Sequence, residues 1–173
     1  MNASPITWDR LVRTAHWSLV SCVAANLFLL EEGDPPHRWA GYLASGIVLV
    51  RLLWGFIGSA HARFSDFFPT PSRLLQQWQA WRKGDFTPHA GHNPFGAVMM
   101  LSLLTLVLAL GLTGWLMGTD RFWGEEWLEE LHEGLANLLM GLVGLHALAA
   151  IIMSRLERVR LIRAMFTGRK EPL

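Results

Sequence analysis

At 173 residues the chain is long enough for one domain or two very small ones; it is 51% hydrophobic and only 17% charged, with nine Trp against a single Tyr. Its 15 Lys and Arg nearly cancel 14 Asp and Glu, which argues against a nucleic-acid binder. Cys22 is alone, excluding an internal disulfide, a thiolate zinc site and a four-cysteine cluster, and without Cys-x-x-Cys-His any haem is held without thioether bonds. The composition is that of a small membrane protein, read as one domain over residues 1–173.

A membrane span needs roughly 20 mostly apolar residues. Four stretches come close: Val12–Leu30, His37–Gly58, Phe95–Gly118 and Leu131–Ser154. Helix is the expected form, because lipid offers no water to free backbone groups. The fold class read from this pattern is all-α, an integral membrane four-helix bundle. Leu19-Val20-Ser21-Cys22 looks like a lipoprotein cleavage site, but the apolar run before it is shorter than a signal needs, so Cys22 is placed within the first span. Between spans two and three, Thr70-Pro71 reads as a helix start. Leu74, Leu75, Trp78 and Trp81 follow on one face, with Arg73, Gln77, Arg82 and Lys83 off it. That pattern predicts an interfacial amphipathic helix. Asn93-Pro94 has the form of a cap for the third span.

Charge sorts sharply between the links. The links after spans one and three, with the span ends beside them, carry 2 bases and 9 acids; the termini, the second link and Arg51 carry 13 bases and 5 acids. Lys and Arg accumulate on the cytoplasmic side, so both termini are expected inside.

Four of the seven His lie in or at the ends of spans: His16, His37, His132 and His146. Ionisable residues at membrane depth are expensive and mark function, although one alone also serves to hydrogen-bond neighbouring helices. His132 and His146 are 14 residues apart, which on a helix returns to within about 40° of the same face after a rise of roughly 21 Å. With the expected topology, His37 shares the outer level with His132, and His16 the inner level with His146. Two facing imidazoles per level is what bis-His ligation of a haem iron requires, and the predicted metal ligands are these four His. Zinc or copper fits less well, since no Cys, Asp or Glu supplies a third ligand at either depth.

Arg13 precedes His16 by one turn, and Arg51 falls at the inner level on the second span. Both are expected to meet haem propionates, which guanidinium groups bind with paired hydrogen bonds; Arg38 and Arg121 are equally explained by reaching to water. Gly41 and Gly46, Gly111 and Gly114, and Gly134, Gly141 and Gly144 give a macrocycle room, and close helix packing explains them as well. His92, at the inner mouth of the third span, is positioned either to hydrogen-bond a quinone carbonyl or to sit as a surface His beside a cap. Met117 and Met140 read as bundle-filling thioethers.

The run Trp8-Asp9-Arg10-Leu11-Val12-Arg13 leading into His16-Trp17 resembles the opening of bacterial four-helix di-haem cytochromes b, the prokaryotic cytochrome b561 group. So do His37 with Gly41, Arg51 to Gly58, Gly91-His92-Asn93-Pro94, and Leu131-His132-Glu133 followed by His146. The resemblance covers nearly the whole chain and extends to the cytochrome b subunits of membrane-bound nickel–iron hydrogenases. It implies two non-covalent b-type haems on His16, His37, His132 and His146, in a bacterial inner-membrane protein that exchanges electrons between the quinone pool and a redox partner. Some members oxidise superoxide and reduce quinone without a protein partner, a role that a positive outer surface favours. Here the outer links are acidic, which favours a basic periplasmic c-type cytochrome or another redox subunit, and an electron carrier over a stand-alone oxidoreductase.

Overall fold

The computed structural model describes residues 7–173. Its helices are α1 (Arg10–Phe28), α2 (Pro35–Ile57), α3 (Phe64–Phe67), α4 (Pro71–Arg82), α5 (Pro94–Met117), α6 (Glu126–Leu156) and α7 (Leu161–Thr167), with a 3-10 turn at Ala60–Ala62. Among the described residues there is no strand; Val159 and Pro172 form an isolated bridge.

Three helices, α2, α5 and α6, are long and apolar enough to cross a membrane. The 19-residue α1 is not among them. Arg10, Arg13, Thr14, His16, Ser18, Ser21 and Asn26 dilute its apolar content.

Helix starts follow local chemistry. The Thr70 hydroxyl accepts from the Arg73 amide at 3.3 Å, and Asn93 Oδ1 from the Gly96 amide at 2.7 Å, each with Pro next in line, as expected. Asp9 caps α1 in the same way through the Val12 amide at 2.8 Å; such caps each contribute about 1 kcal/mol. α6 begins at Glu126 rather than at Leu131. Glu126, Glu129 and Glu130 therefore ride on its first turns, where the positive helix end favours acids, instead of forming a loose link.

α1 packs on α2, α2 on α5, and α5 on α6, around Cys22, Ala44, Val48, Leu104, Leu106, Val107 and Leu139. A side chain at Gly111 would collide with Ser45. That glycine thus serves the close approach of α5 to α2, the packing alternative of its two readings. By contrast Gly46, Gly134, Gly141 and Gly144 face open space, and a methyl at Gly41 would meet only the Asn26 amide, at ordinary contact distance. Of the 31 residues of α6 only Leu128 and Leu139 are buried. Leu138, Leu145, Leu148, Ile151 and Ile152 stand exposed on it, as do Leu43, Leu49, Leu53 and Phe56 on α2. Apolar surface this extensive marks contact with lipid or another apolar partner.

α4 divides its expected face. Gln77 is its buried residue and Trp81 stacks on Phe95 with ring centres 4.9 Å apart, whereas Leu75 and Trp78 are exposed. The C-terminal segment, read from sequence only as a basic tail, folds back onto α1. The Thr7 and Trp8 amides donate to the Gly168 carbonyl at 2.8 and 3.1 Å, and Trp17 Nε1 to the Met165 carbonyl at 3.1 Å. Gly168 makes this closure with φ +80° against the Trp8 carbonyl, a conformation and an approach that a side chain would obstruct.

Candidate functional site

The four His predicted as ligands meet in two couples. His16 on α1 faces His146 on α6 with ring centres 6.3 Å apart and planes inclined by 54°. His37 on α2 faces His132 on α6 at the same 6.3 Å, inclined by 59°. Neither couple is in hydrogen-bonding range. A metal–imidazole bond is about 2 Å long and the ring centre lies roughly 1 Å behind the bonding nitrogen, so one metal between two coaxial rings separates the centres by about 6 Å. α6 packs chiefly on α5 and α7, and its two His meet rings carried by α1 and α2.

Second partners fix the rings unequally. His132 Nδ1 lies 2.7 Å from Thr113 Oγ1, while the Thr113 hydroxyl is also within reach of the Ala109 and Leu110 carbonyls at 3.0 and 3.2 Å. With the hydroxyl hydrogen on a carbonyl, the oxygen accepts from Nδ1–H and leaves Nε2 free as a ligand, the arrangement typical of metal-bound His. His16 Nδ1 and His37 Nδ1 are enclosed without a partner.

Arg51 is 4% exposed. One terminal guanidinium nitrogen has no partner, the other touches only Met100 Sδ at 3.8 Å, and Phe64 lies under the group at 5.8 Å. A buried cation without a bonded anion is costly, so this one is positioned to accept a carboxylate. Asp9 is near but committed: its Oδ2 accepts from Trp54 Nε1 at 2.8 Å and from Ser59 Oγ at 2.6 Å. Burial raises the Asp9 pKa, but the bonds from Ser59, Val12 and Trp54 and the Arg51 charge outweigh it, leaving the carboxyl below its ordinary value. Arg13, expected at a propionate, instead reaches the Phe166 carbonyl and, at 3.4 Å, that of Asp9. It ties α1 to the C-terminal segment.

His92 is half-buried beside the start of α5. Its ring lies 4.5 Å from Trp8 and 4.8 Å from Phe67, and its Nδ1 is enclosed without a partner. Burial, then the positive Arg51 and Lys170, drive its pKa down to about 3, so it is neutral at ordinary pH. Lys170 closes the same corner by donating to the His89 and Gly91 carbonyls at 2.7 and 2.8 Å. Asp9, Thr113 and Lys170 escaped the sequence reading. Asp9 carried a signal, as an acid just before a helix; the other two act only through distant contacts.

A family model described as "Prokaryotic cytochrome b561" matches residues 7–168. The chain is 23% identical over 174 aligned positions to a protein of Bradyrhizobium diazoefficiens described as a "Probable Ni/Fe-hydrogenase B-type cytochrome subunit", covering 86% of this chain and 70% of that one. A protein of Rhizobium leguminosarum bv. viciae with the same description is 28% identical over 101 positions, covering 53% of this chain and 41% of its own. No solved structure matches the chain.

Proposed function

The chain belongs to the prokaryotic cytochrome b561 family and so is a membrane b-type cytochrome that carries electrons on haem; from that premise we propose that it holds two b haems and passes electrons between the quinone pool and a periplasmic redox partner. The reading rests above all on the two imidazole couples, each 6.3 Å between ring centres. In it, α1 joins α2, α5 and α6 as a fourth span of one bundle, and α4 lies in the interface with Leu75 and Trp78 toward lipid. The basic links put both termini on the cytoplasmic side of the inner membrane.

When bound, haem supplies a one-electron iron couple whose potential answers to axial ligands, burial and nearby charge. His16 and His146 would hold the inner haem, His37 and His132 the outer one. Thr113 orients His132. Arg51 would offer its free donors to a propionate on the inner side. The open faces of Gly46 on α2 and of Gly134, Gly141 and Gly144 on α6 add no side chains to the bundle.

Glu31, Glu32, Glu129, Glu130 and Glu133 make the outer end acidic, which attracts a basic docking face and repels an anion such as superoxide. The relatives described as hydrogenase cytochrome subunits add a hydrogenase to the candidate partners beside a c-type cytochrome. The test is haem stoichiometry on the purified protein with reduced-minus-oxidised spectroscopy: about two haems per chain, with a b-type reduced band, is expected. One haem per chain, or none, contradicts the reading.

A further inference from the structure

Arg51, Trp54, Gly55 and Gly58 recur every three or four residues along α2 and its C-terminal cap, the spacing that sets residues in one row. All four serve the same spot. Phe64 lies under the Arg51 guanidinium, and a side chain at Gly55 would collide with the Phe64 ring. A side chain at Gly58 would collide with the Trp54 indole, whose Nε1 donates to Asp9 Oδ2 at 2.8 Å. Ser59, the next residue, donates to that same oxygen at 2.6 Å. The other carboxylate oxygen, Oδ1, accepts from the Val12 amide.

The outcome is unusual for a buried cation. Arg51 is almost fully enclosed, one of its terminal nitrogens has no partner, and the other meets only the Met100 sulfur. Yet the Asp9 charge acts on it from nearby. Opposite charges attract strongly where water is scarce, so an unrestrained Asp9 would turn to the guanidinium and pair with it. Among the described residues no ion pair involves Arg51. What holds the carboxylate back is its three donors, two of them converging on Oδ2 from the end of α2.

We propose that Trp54 and Ser59 are positioning residues for Arg51: by occupying Asp9 Oδ2 they restrain a competing carboxylate and keep the guanidinium open to the carboxylate of a ligand. The proposal rests on the reading above, in which that carboxylate is a propionate of the inner haem, and it supplies the device that keeps the receptor unpaired. Asp9 offsets the charge of the buried cation from a distance without taking up its donors. The row from Arg51 to Ser59 thereby acts as one unit, with each glycine admitting the ring that the unit needs.

The experiment uses the purified holoprotein in phosphatidylcholine vesicles and reads thermal midpoints by circular dichroism. Asp9→Asn and Arg51→Gln are made singly and together, in wild type and in Trp54→Phe/Ser59→Ala. Asn caps a helix about as well as Asp, so Asp9→Asn removes the charge and keeps the Val12 cap. In wild type the two substitutions are expected to add to within about 1 °C; with both donors gone, Asp9 is free to pair with Arg51 and their coupling should grow by roughly 2–4 °C. Resonance Raman spectra of the propionate bending band provide a second readout. Trp54→Phe/Ser59→Ala should shift that band as Arg51→Gln does, and adding Asp9→Asn should return it to the wild-type position, because the competitor is gone. A contact that merely fastened α1 to α2 gives the opposite result, since a further substitution there rescues nothing. Should Trp54→Phe prevent assembly, Ser59→Ala alone, at an exposed serine, is expected to move both readouts in the same directions. Equal coupling in the two backgrounds, or a triple variant no closer to wild type than the double one, overturns the proposal. If Arg51→Gln leaves the propionate band unmoved, the propionate reading fails instead, and the change in coupling alone decides whether Asp9 is restrained.

Discussion

The inner and outer His couples share a ring separation of 6.3 Å and differ in nearly everything around it. At the outer level His132 is tied to Thr113 at 2.7 Å, Glu32 lies within electrostatic reach, and the helix ends beside it are acidic. At the inner level no hydrogen bond fixes His16 Nδ1. There Arg51, Lys170 and His92 gather from α2, the C-terminal segment and the loop before α5, with Trp8, Trp17 and Phe67 filling the space. Helix geometry therefore sets a common spacing, and neighbouring charge is left to set two different environments. Buried positive charge opposes the oxidised, more positive state of a haem, and nearby carboxylates favour it. The inner haem should accordingly have the higher midpoint potential.

Removing Arg51 attacks this contrast most directly. Arg51→Gln should lower the inner potential by on the order of 50 mV or more and leave the outer one nearly still; a potentiometric titration followed optically checks it. Equal movement of both couples would erase the distinction drawn here. Thr113→Val acts on the other level. Losing the acceptor for His132 Nδ1–H makes the imidazole less basic, so the outer potential should rise by roughly 20–40 mV, with faster haem loss. The inner couple should not respond.

Two smaller effects test the inner corner without reference to haem. His92 in the folded protein is pushed down to about 3 by burial, then by Arg51 and Lys170, so between that value and its ordinary 6.5 the unfolded chain binds the extra proton. Stability should fall as pH drops below about 6.5, by up to about 1.4 kcal/mol per pH unit from this one group. His92→Phe should flatten that slope in thermal melts across pH 4–7. Asn93→Ala removes the α5 cap and should cost about 1 kcal/mol, seen as a modest drop in melting temperature at either pH.

The features readable from the sequence were those with a short period or a local cause. The His levels follow from helical rise, the caps at Thr70 and Asn93 from the residues that follow them, and the placement of Cys22 inside α1 from the length of the apolar run before it. The helical assignments of α2 and α5 follow from hydropathy. What escaped depends on contacts distant in the chain. Nothing near Lys170 in sequence announces the carbonyls of His89 and Gly91, and nothing near Gly111 announces Ser45. The contacts of His92 were hidden because the aromatic rings beside it come from residues 8 and 67. Arg13 carried the right charge for a propionate at the right level, yet α7 claims it through the Phe166 carbonyl. The early start of α6 was hidden by acids that read as a link and serve equally as a helix N-terminus.

Haem content and redox titration of four single variants, His16→Ala, His146→Ala, His37→Ala and His132→Ala, test the central claim most directly. The pairing predicts two classes: His16→Ala and His146→Ala each lose the higher-potential haem, and His37→Ala and His132→Ala each lose the lower-potential one, with about one haem retained throughout. If the variants sorted instead as His16 with His37, or if every one of them kept both haems, the two-level pairing would be contradicted.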